Sequence, residues 1–156
     1  MGKKYSGVWL YGLSGSGKTF VSNFLKTEIP KSVVIDGDKV RKLISFDLGY
    51  SIKDREIQIR RVYGLCKLII DSKKFPIAST VYFNRKLYNY CIKSKILPIK
   101  IERENFKKIK KMHKTYKNKL NVVGKDIYYE KFKVIKIVND NSKKFLKKFK
   151  KFNFYS

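Results

Sequence analysis

Acidic residues, cysteine, proline and long apolar runs are all scarce in this chain, and each shortage excludes something. Two cysteines, Cys66 and Cys91, cannot build a disulfide framework, and with His113 as the only histidine there is no ligand set for a structural zinc. Reduced thiols are the expectation. The longest apolar runs, such as Val33–Ile35 and Leu68–Ile70, fall far short of the roughly 18 residues that a membrane helix needs. The polar start, Met1 to Ser6, lacks the apolar core of a secretory signal. A cytoplasmic protein with no membrane partner is expected. At 156 residues the chain has room for one core, so a single domain over 1–156 is expected rather than two modules. With 43% hydrophobic and 15% aromatic residues that domain is globular, not a disordered basic tail.

Only 12 acidic residues oppose 38 basic ones, a formal charge of +26. Such a charge attracts nucleic acid, anionic membrane or phosphorylated ligands. The lysines lie along the whole chain rather than in one stripe, and Ile, Asn, Phe and Tyr are abundant too, as AT-rich coding favours. No specific nucleic-acid partner is therefore expected. The competing class, a nucleic-acid-binding NTPase or polynucleotide kinase that uses the lysine-rich last third as its platform, requires tight RNA or DNA binding with a steep salt dependence. Arginine is rare by contrast, six residues in all. Where lysine is the default, an arginine marks a place that needs a planar, two-pronged donor. Arg41, Arg55, Arg60, Arg61 and Arg85 are candidates on that ground, with plain helix-surface decoration as the alternative for Arg60 and Arg61.

The hydrophobic pattern alternates strand and helix. A buried strand over Gly7–Tyr11 runs into a glycine-rich loop, Gly12–Gly17, and a helix from Lys18 to about Glu28. A second strand, Ser32–Ile35, ends in Asp36-Gly37-Asp38, followed by a short helix over Lys39–Ile44 and a loop to Lys53. Asp54 starts a long helix to about Lys73, with Ile59, Val62, Leu65, Cys66, Ile69 and Ile70 as its apolar stripe. Strands over Pro76–Val81, Leu97–Glu102 and Val134–Val138, a helix over Arg85–Lys95 and a closing helix over Ser142–Phe152 complete the pattern. Between them, Asn105–Leu120 reads as a basic helical cover and Asn121–Glu130 as a loop, together a mobile lid around 105–130. Alternation of this kind predicts an α/β fold of three layers, a five-stranded, mainly parallel sheet with helices on both faces.

Gly12-Leu13-Ser14-Gly15-Ser16-Gly17-Lys18-Thr19 fits G-x-x-x-x-G-K-[ST] in full and sits between a buried strand and an amphipathic helix. The chemistry follows from the residue types. Glycines let successive amides of Gly12, Ser14, Gly15, Ser16 and Gly17 converge on phosphate oxygens, and the helix adds its positive end. Lys18 bridges the terminal phosphates of ATP, and Thr19 ligates Mg2+. The fold class is thus that of the P-loop nucleoside triphosphatases. A chain this small, without the second half of a helicase or transporter, points to a small-molecule kinase.

Asp36 and Asp38 fall at the carboxyl end of a strand, where α/β sheets place their ligand crevice. One such acid can accept the proton of an acceptor hydroxyl while the other stays near the metal. The alternative is a local Asp-Gly turn whose acids bond only nearby backbone. Arg55 and Gln58, three residues apart at a helix start, share a face, and Tyr50 offers a flat surface beside them. Core packing is the alternative for Tyr50, and a solvated surface position for Gln58.

The stretches Asp36-Gly-Asp-Lys-Val-Arg41, Asp47-Leu-Gly-Tyr-Ser51 and Asp54-Arg-Glu-Ile-Gln-Ile-Arg-Arg61 resemble the adenylylsulfate (APS) kinase family, which carries D-G-D-N-x-R, D-L-G-F-S and D-R-x-x-N-x-R-R at this spacing. With the phosphate loop and Ile77–Val81, the resemblance covers about residues 7 to 85. It implies transfer of the terminal phosphate of ATP to the ribose 3′-hydroxyl of a nucleotide, most directly adenylylsulfate. It further implies Asp38 as general base and Asp36 near Mg2+, with Arg41 and Arg55 on the acceptor's anionic groups. Tyr50 would stack on its base, Gln58 and Val81 would line the pocket, and Lys125 would lie in a loop that closes over the acceptor. The partners implied are ATP and an anionic nucleotide, and a homodimer is a separate expectation that the sequence does not fix. The chain departs from the family in three places: Gln58 for Asn, Thr80–Arg85 for the usual serine-proline-tyrosine, and no arginine-aspartate signature in the lid, where Lys111, Lys114 and Tyr116 stand instead. Relatives that phosphorylate cytidine diphosphoramidate for capsule decoration make that acceptor the competing expectation.

Overall fold

The computed structural model describes residues 5–117, 119–152 and 154. Five strands form one sheet in the order β2-β3-β1-β4-β5: β1 (Gly7–Tyr11), β2 (Ser32–Asp36), β3 (Phe75–Thr80), β4 (Ile96–Arg103) and β5 (Ile135–Asn139). Every pairing is parallel, with Val8 opposite Ile77 on one side and Leu97 on the other. Because each parallel step needs a crossover, the intervening segments supply α1 (Lys18–Glu28), α2 (Gly37–Leu43), α3 (Ile52–Asp71), α4 (Arg85–Lys93) and α5 (Phe106–Met112), and α6 (Lys144–Lys147) follows β5.

β1 is buried throughout, and its period-2 alternation divides the core in two. Val8 and Leu10 face α1 and the C-terminal segment, packing with Val21, Leu25, Phe145 and Phe149. Trp9 and Tyr11 face α3 and α4, packing with Ile59, Val62, Cys66, Leu87 and Cys91. The expected three-layer α/β arrangement is therefore present. Both cysteines are free and buried, and burial pushes both thiols up. Among the described residues no helix is long and apolar enough to cross a membrane.

Several expected elements differ in extent, most by a residue or two at their ends. β2 runs one residue further and α2 begins earlier, because Asp36 closes the strand and its carboxylate accepts from the Asp38 and Lys39 amides as an N-cap. α3 starts at Ile52 through a capping box, Ser51 accepting from the Asp54 amide while Asp54 reaches back to the Ser51 amide. The cover expected as one helix breaks at His113, whose backbone is extended, and resumes as a 3₁₀ turn over Lys114–Tyr116. Tertiary anchors cause the break: the Tyr116 hydroxyl donates to the Ser14 carbonyl at 3.0 Å, and Ile109 and His113 lie against Gly15. The closing helix over Ser142–Phe152 is likewise corrected to one α-turn, Lys144–Lys147, followed by successive i→i+3 turns to Phe152. Those tighter turns bring Phe145, Leu146 and Phe149 together onto the sheet.

Candidate active site

The phosphate loop leaves the sheet at the end of β1. Gly15 and Gly17 sit at φ 86° and 98°, a left-handed backbone that side chains disfavour, and a Cβ on Gly17 would collide with the Asn139 amide. Gly17 also caps α1, so the helix presents its positive end at the loop. Lys18 is folded over this loop, donating to the Gly12 and Leu13 carbonyls at 2.8 and 3.0 Å. Burial lowers its pKa to about 8, against which the charges of Asp38 and then Asp36 act.

One cavity of about 980 Å³ joins this loop to the acid pair. Ser14, Gly15, Gly17, Lys18 and Thr19 line one end, and Asp36, Asp38, Arg41, Tyr50, Arg55, Gln58 and Val81 line the other. Gly12 and Ser16 belong to the loop without lining the cavity; Ser16 is 1% exposed. Asp36 performs the local turn role with Oδ1, accepting from the Asp38 and Lys39 amides at 2.9 and 3.2 Å, which leaves Oδ2 for other work. The turn reading holds for that residue, and the cavity position keeps Oδ2 open to a site role.

At the far end Tyr50 lies between two cations, 4.7 Å from the Arg41 guanidinium and 5.5 Å from that of Arg55. Its ring is 56% exposed, which excludes core packing. Arg41 donates to the Gly49 carbonyl at 2.5 Å, and Arg55 to the carbonyls of Tyr50 and Asn121 at 3.2 and 2.7 Å. Neither arginine pairs with a carboxylate among the described residues. Burial and then the neighbouring Arg41 charge hold the Arg55 pKa below its ordinary value. The two guanidiniums form an uncompensated positive corner suited to an anion.

Gln58 is 4% exposed, not a solvated surface residue. Its Nε2 donates to the Gly37 carbonyl at 2.9 Å, which orients the amide and leaves Oε1 buried without a partner among the described residues. Val81 offers its carbonyl to the Tyr129 hydroxyl at 2.5 Å. Lys125 is not brought to the cavity: its ammonium donates to the Lys119 carbonyl at 2.9 Å, and it is Lys119 that lines the cleft. Arg61 makes a two-pronged pair with Asp47 at 2.5 and 2.8 Å, while Arg85 pairs with Glu130 at 3.6 Å, so these arginines brace loops. Arg60 lies in a small separate groove beside Lys53 and Tyr90.

Several cavity residues carry no signal in the linear sequence. The cover contributes His113 and Thr115, and the loop after it Val122 and Val123, rather than the exposed Lys111 and Lys114. Arg103, at the end of β4, lines the loop end of the cavity. It is the sixth arginine, and arginine scarcity is the signal that could have found it.

A glycine-rich loop at the centre of a parallel sheet, with an acid pair across a cleft, defines the P-loop nucleoside-triphosphate-binding class. The family model described as adenylylsulphate kinase matches residues 4–123, and the chain belongs to that family. Adenylyl-sulfate kinases of Burkholderia ambifaria and Thermodesulfovibrio yellowstonii are 36% and 38% identical over 83 and 84 residues, which is 51% of this chain in each case and 46% and 42% of the relatives. Adenylyl-sulfate kinase 3 of Arabidopsis thaliana is 39% identical over 88 residues, 54% of this chain and 42% of the relative. The chain thus spans less than half the length of the curated relatives it matches. Among solved structures, an APS kinase of Mycobacterium tuberculosis in complex with AMPPNP and APS superposes with a TM-score of 0.74 at 20% identity, covering 96% of each chain. A sugar kinase from Janibacter sp. superposes at 0.68 with 12% identity, covering 95% of this chain and 94% of that one, so the fold alone does not choose an acceptor.

Proposed function

We propose that this chain is an ATP-dependent kinase that phosphorylates the ribose 3′-hydroxyl of adenylylsulfate. One observation carries the reading: a single cavity holds the phosphate loop with Lys18 at one end and Asp38, Arg41, Tyr50 and Arg55 at the other. Donor and acceptor can therefore meet in line within it. Membership of the family supports adenylylsulfate as the acceptor, and the unpaired arginine corner is chemically suited to its phosphosulfate.

Asp38 accepts the proton of the 3′-hydroxyl as that oxygen bonds to the terminal phosphorus, and the bond from phosphorus to the β–γ bridging oxygen breaks to release ADP. Lys18 and the loop amides take up charge on the transferring group. Thr19 and the free Oδ2 of Asp36 are hard oxygen donors that fit Mg2+, and among the described residues no cluster of three His, Cys, Asp or Glu side chains forms a metal site by itself. The ion would thus arrive with the ATP phosphates and neutralise their charge. A homodimer and a cytoplasmic location complete the reading.

The test is ADP release, coupled to a visible readout, with adenylylsulfate, cytidine diphosphoramidate and plain nucleosides offered in parallel. Adenylylsulfate is expected to support turnover, and Asp38→Asn to cut it by roughly 10²–10⁴-fold while ATP still binds. Turnover with the cytidine compound alone transfers the same chemistry to a different acceptor. No turnover with any nucleotide would sink the kinase reading.

A further inference from the structure

Arg103 ends β4, directly opposite Asn139 of β5. One arm of its guanidinium donates to the Gly15 carbonyl at 2.9 Å, and the other bonds the side-chain oxygen of Asn141. Asn139 is 5% exposed; its Nδ2 donates to the Ser16 carbonyl at 3.0 Å and its Oδ1 accepts from the Asn141 amide at 2.9 Å. Two consecutive carbonyls of the phosphate loop are therefore held by side chains from the ends of β4 and β5, and the two holders are locked to each other through Asn141.

A planar trans peptide points its carbonyl and its N–H in opposite directions. Holding the Ser16 carbonyl outward on Asn139 turns the Gly17 amide inward, toward the nest that receives phosphate. Holding the Gly15 carbonyl fixes the next peptide back, whose Ser16 amide closes the loop on the Leu13 carbonyl at 3.1 Å. A neutral donor could satisfy Gly15 equally well. The guanidinium adds a charge that no carboxylate pairs with among the described residues, on a side chain that also lines the cavity.

We propose that Arg103, through Asn139 and Asn141, is a positioning residue for the donor's phosphates, setting the amides of the loop and placing a cation beside the triphosphate. The proposal rests on the ATP-binding reading above. It predicts an effect on the phosphate chain and none on the base or the acceptor.

The experiment compares R103A and R103K with the unaltered chain, measuring affinity for ATP, inorganic tripolyphosphate and adenosine, and the KM of the phosphoryl acceptor. ATP and tripolyphosphate are expected to weaken together, roughly tenfold for R103A, with adenosine and acceptor KM within twofold. Added guanidinium ion should restore R103A in part. R103K keeps the charge but cannot hold both partners, so a smaller loss of the same pattern is expected, and it carries the comparison should R103A not fold. Loss for ATP but not tripolyphosphate would assign Arg103 to the base and overturn the proposal, as would unchanged binding of both. If the unaltered chain binds neither phosphate compound, the failure belongs to the ATP reading itself.

Discussion

Gln58→Leu should separate stability from function in opposite directions. The substitution removes one hydrogen bond, Nε2 to the Gly37 carbonyl at 2.9 Å, worth about 1 kcal/mol net. It also removes a buried oxygen with no partner among the described residues, whose desolvation costs about 1–3 kcal/mol. Leucine has a similar volume and keeps the buried space filled. The sum is a change in folding free energy between about zero and 2 kcal/mol in favour of the variant. The catalytic outcome has the other sign. If Oε1 receives a donor from the acceptor nucleotide, leucine leaves that donor unpaired in a buried site, and kcat/KM for the acceptor should fall roughly 10- to 100-fold with KM for ATP unchanged. Urea unfolding and steady-state kinetics on the same preparation read both quantities. A variant destabilised by more than about 2 kcal/mol with an unaltered acceptor KM would show that Gln58 is a structural tie to Gly37 and refute the reasoning.

Two further outcomes follow from the loop. Because the folded pKa of Lys18, about 8, lies below its ordinary 10.5, the charged lysine opposes folding: the penalty is complete below about 8 and fades as pH rises to 10.5. Stability of the protein alone should climb over that interval and should not in Lys18→Met, while calorimetry in buffers of different ionisation heat should show proton uptake on ATP binding near pH 9 and little at pH 7; absent uptake at pH 9 contradicts the assignment. Gly17→Ala forces a side chain into φ 98° and against Asn139, a strain of order 1–3 kcal/mol at the mouth of α1. Nucleotide affinity should drop at least tenfold with the circular dichroism spectrum retained, and wild-type affinity would count against the geometry.

What the linear sequence shows of this molecule is what lies close together along it. The phosphate loop spans eight consecutive residues, and the acids, Tyr50, Arg55 and Gln58 fall on three short motifs, the acids set at a strand's carboxyl end by the α/β pattern and the rest grouped with them by the family resemblance. The bonds that hold the site cross long distances in the chain: Arg103 to Gly15 over 88 residues, Tyr116 to Ser14 over 102, and Asn139 to Ser16 over 123. No periodicity announces such pairs. The same reason explains the cover, where helical spacing from Asn105 onward is real but Tyr116 is drawn to the loop, and the helix yields at His113. Lys125 fails differently, since its place in a matching segment fixes the backbone neighbourhood without fixing where a flexible ammonium points.

β1 lies in the middle of the sheet, and both of its neighbours come from much later in the chain, Ile77 on one side and Ile96 on the other. During synthesis the glycine-rich loop is made before the strands that flank it, so it has no walls until β3 and β4 have emerged and docked, and no rear support until β5 follows. Affinity for nucleotide must then appear late and all together, when the slow, non-local pairing is complete. A ribosome-bound chain halted before β4 should be blind to ATP, and the ligand should protect the finished protein against global unfolding rather than any local fraying.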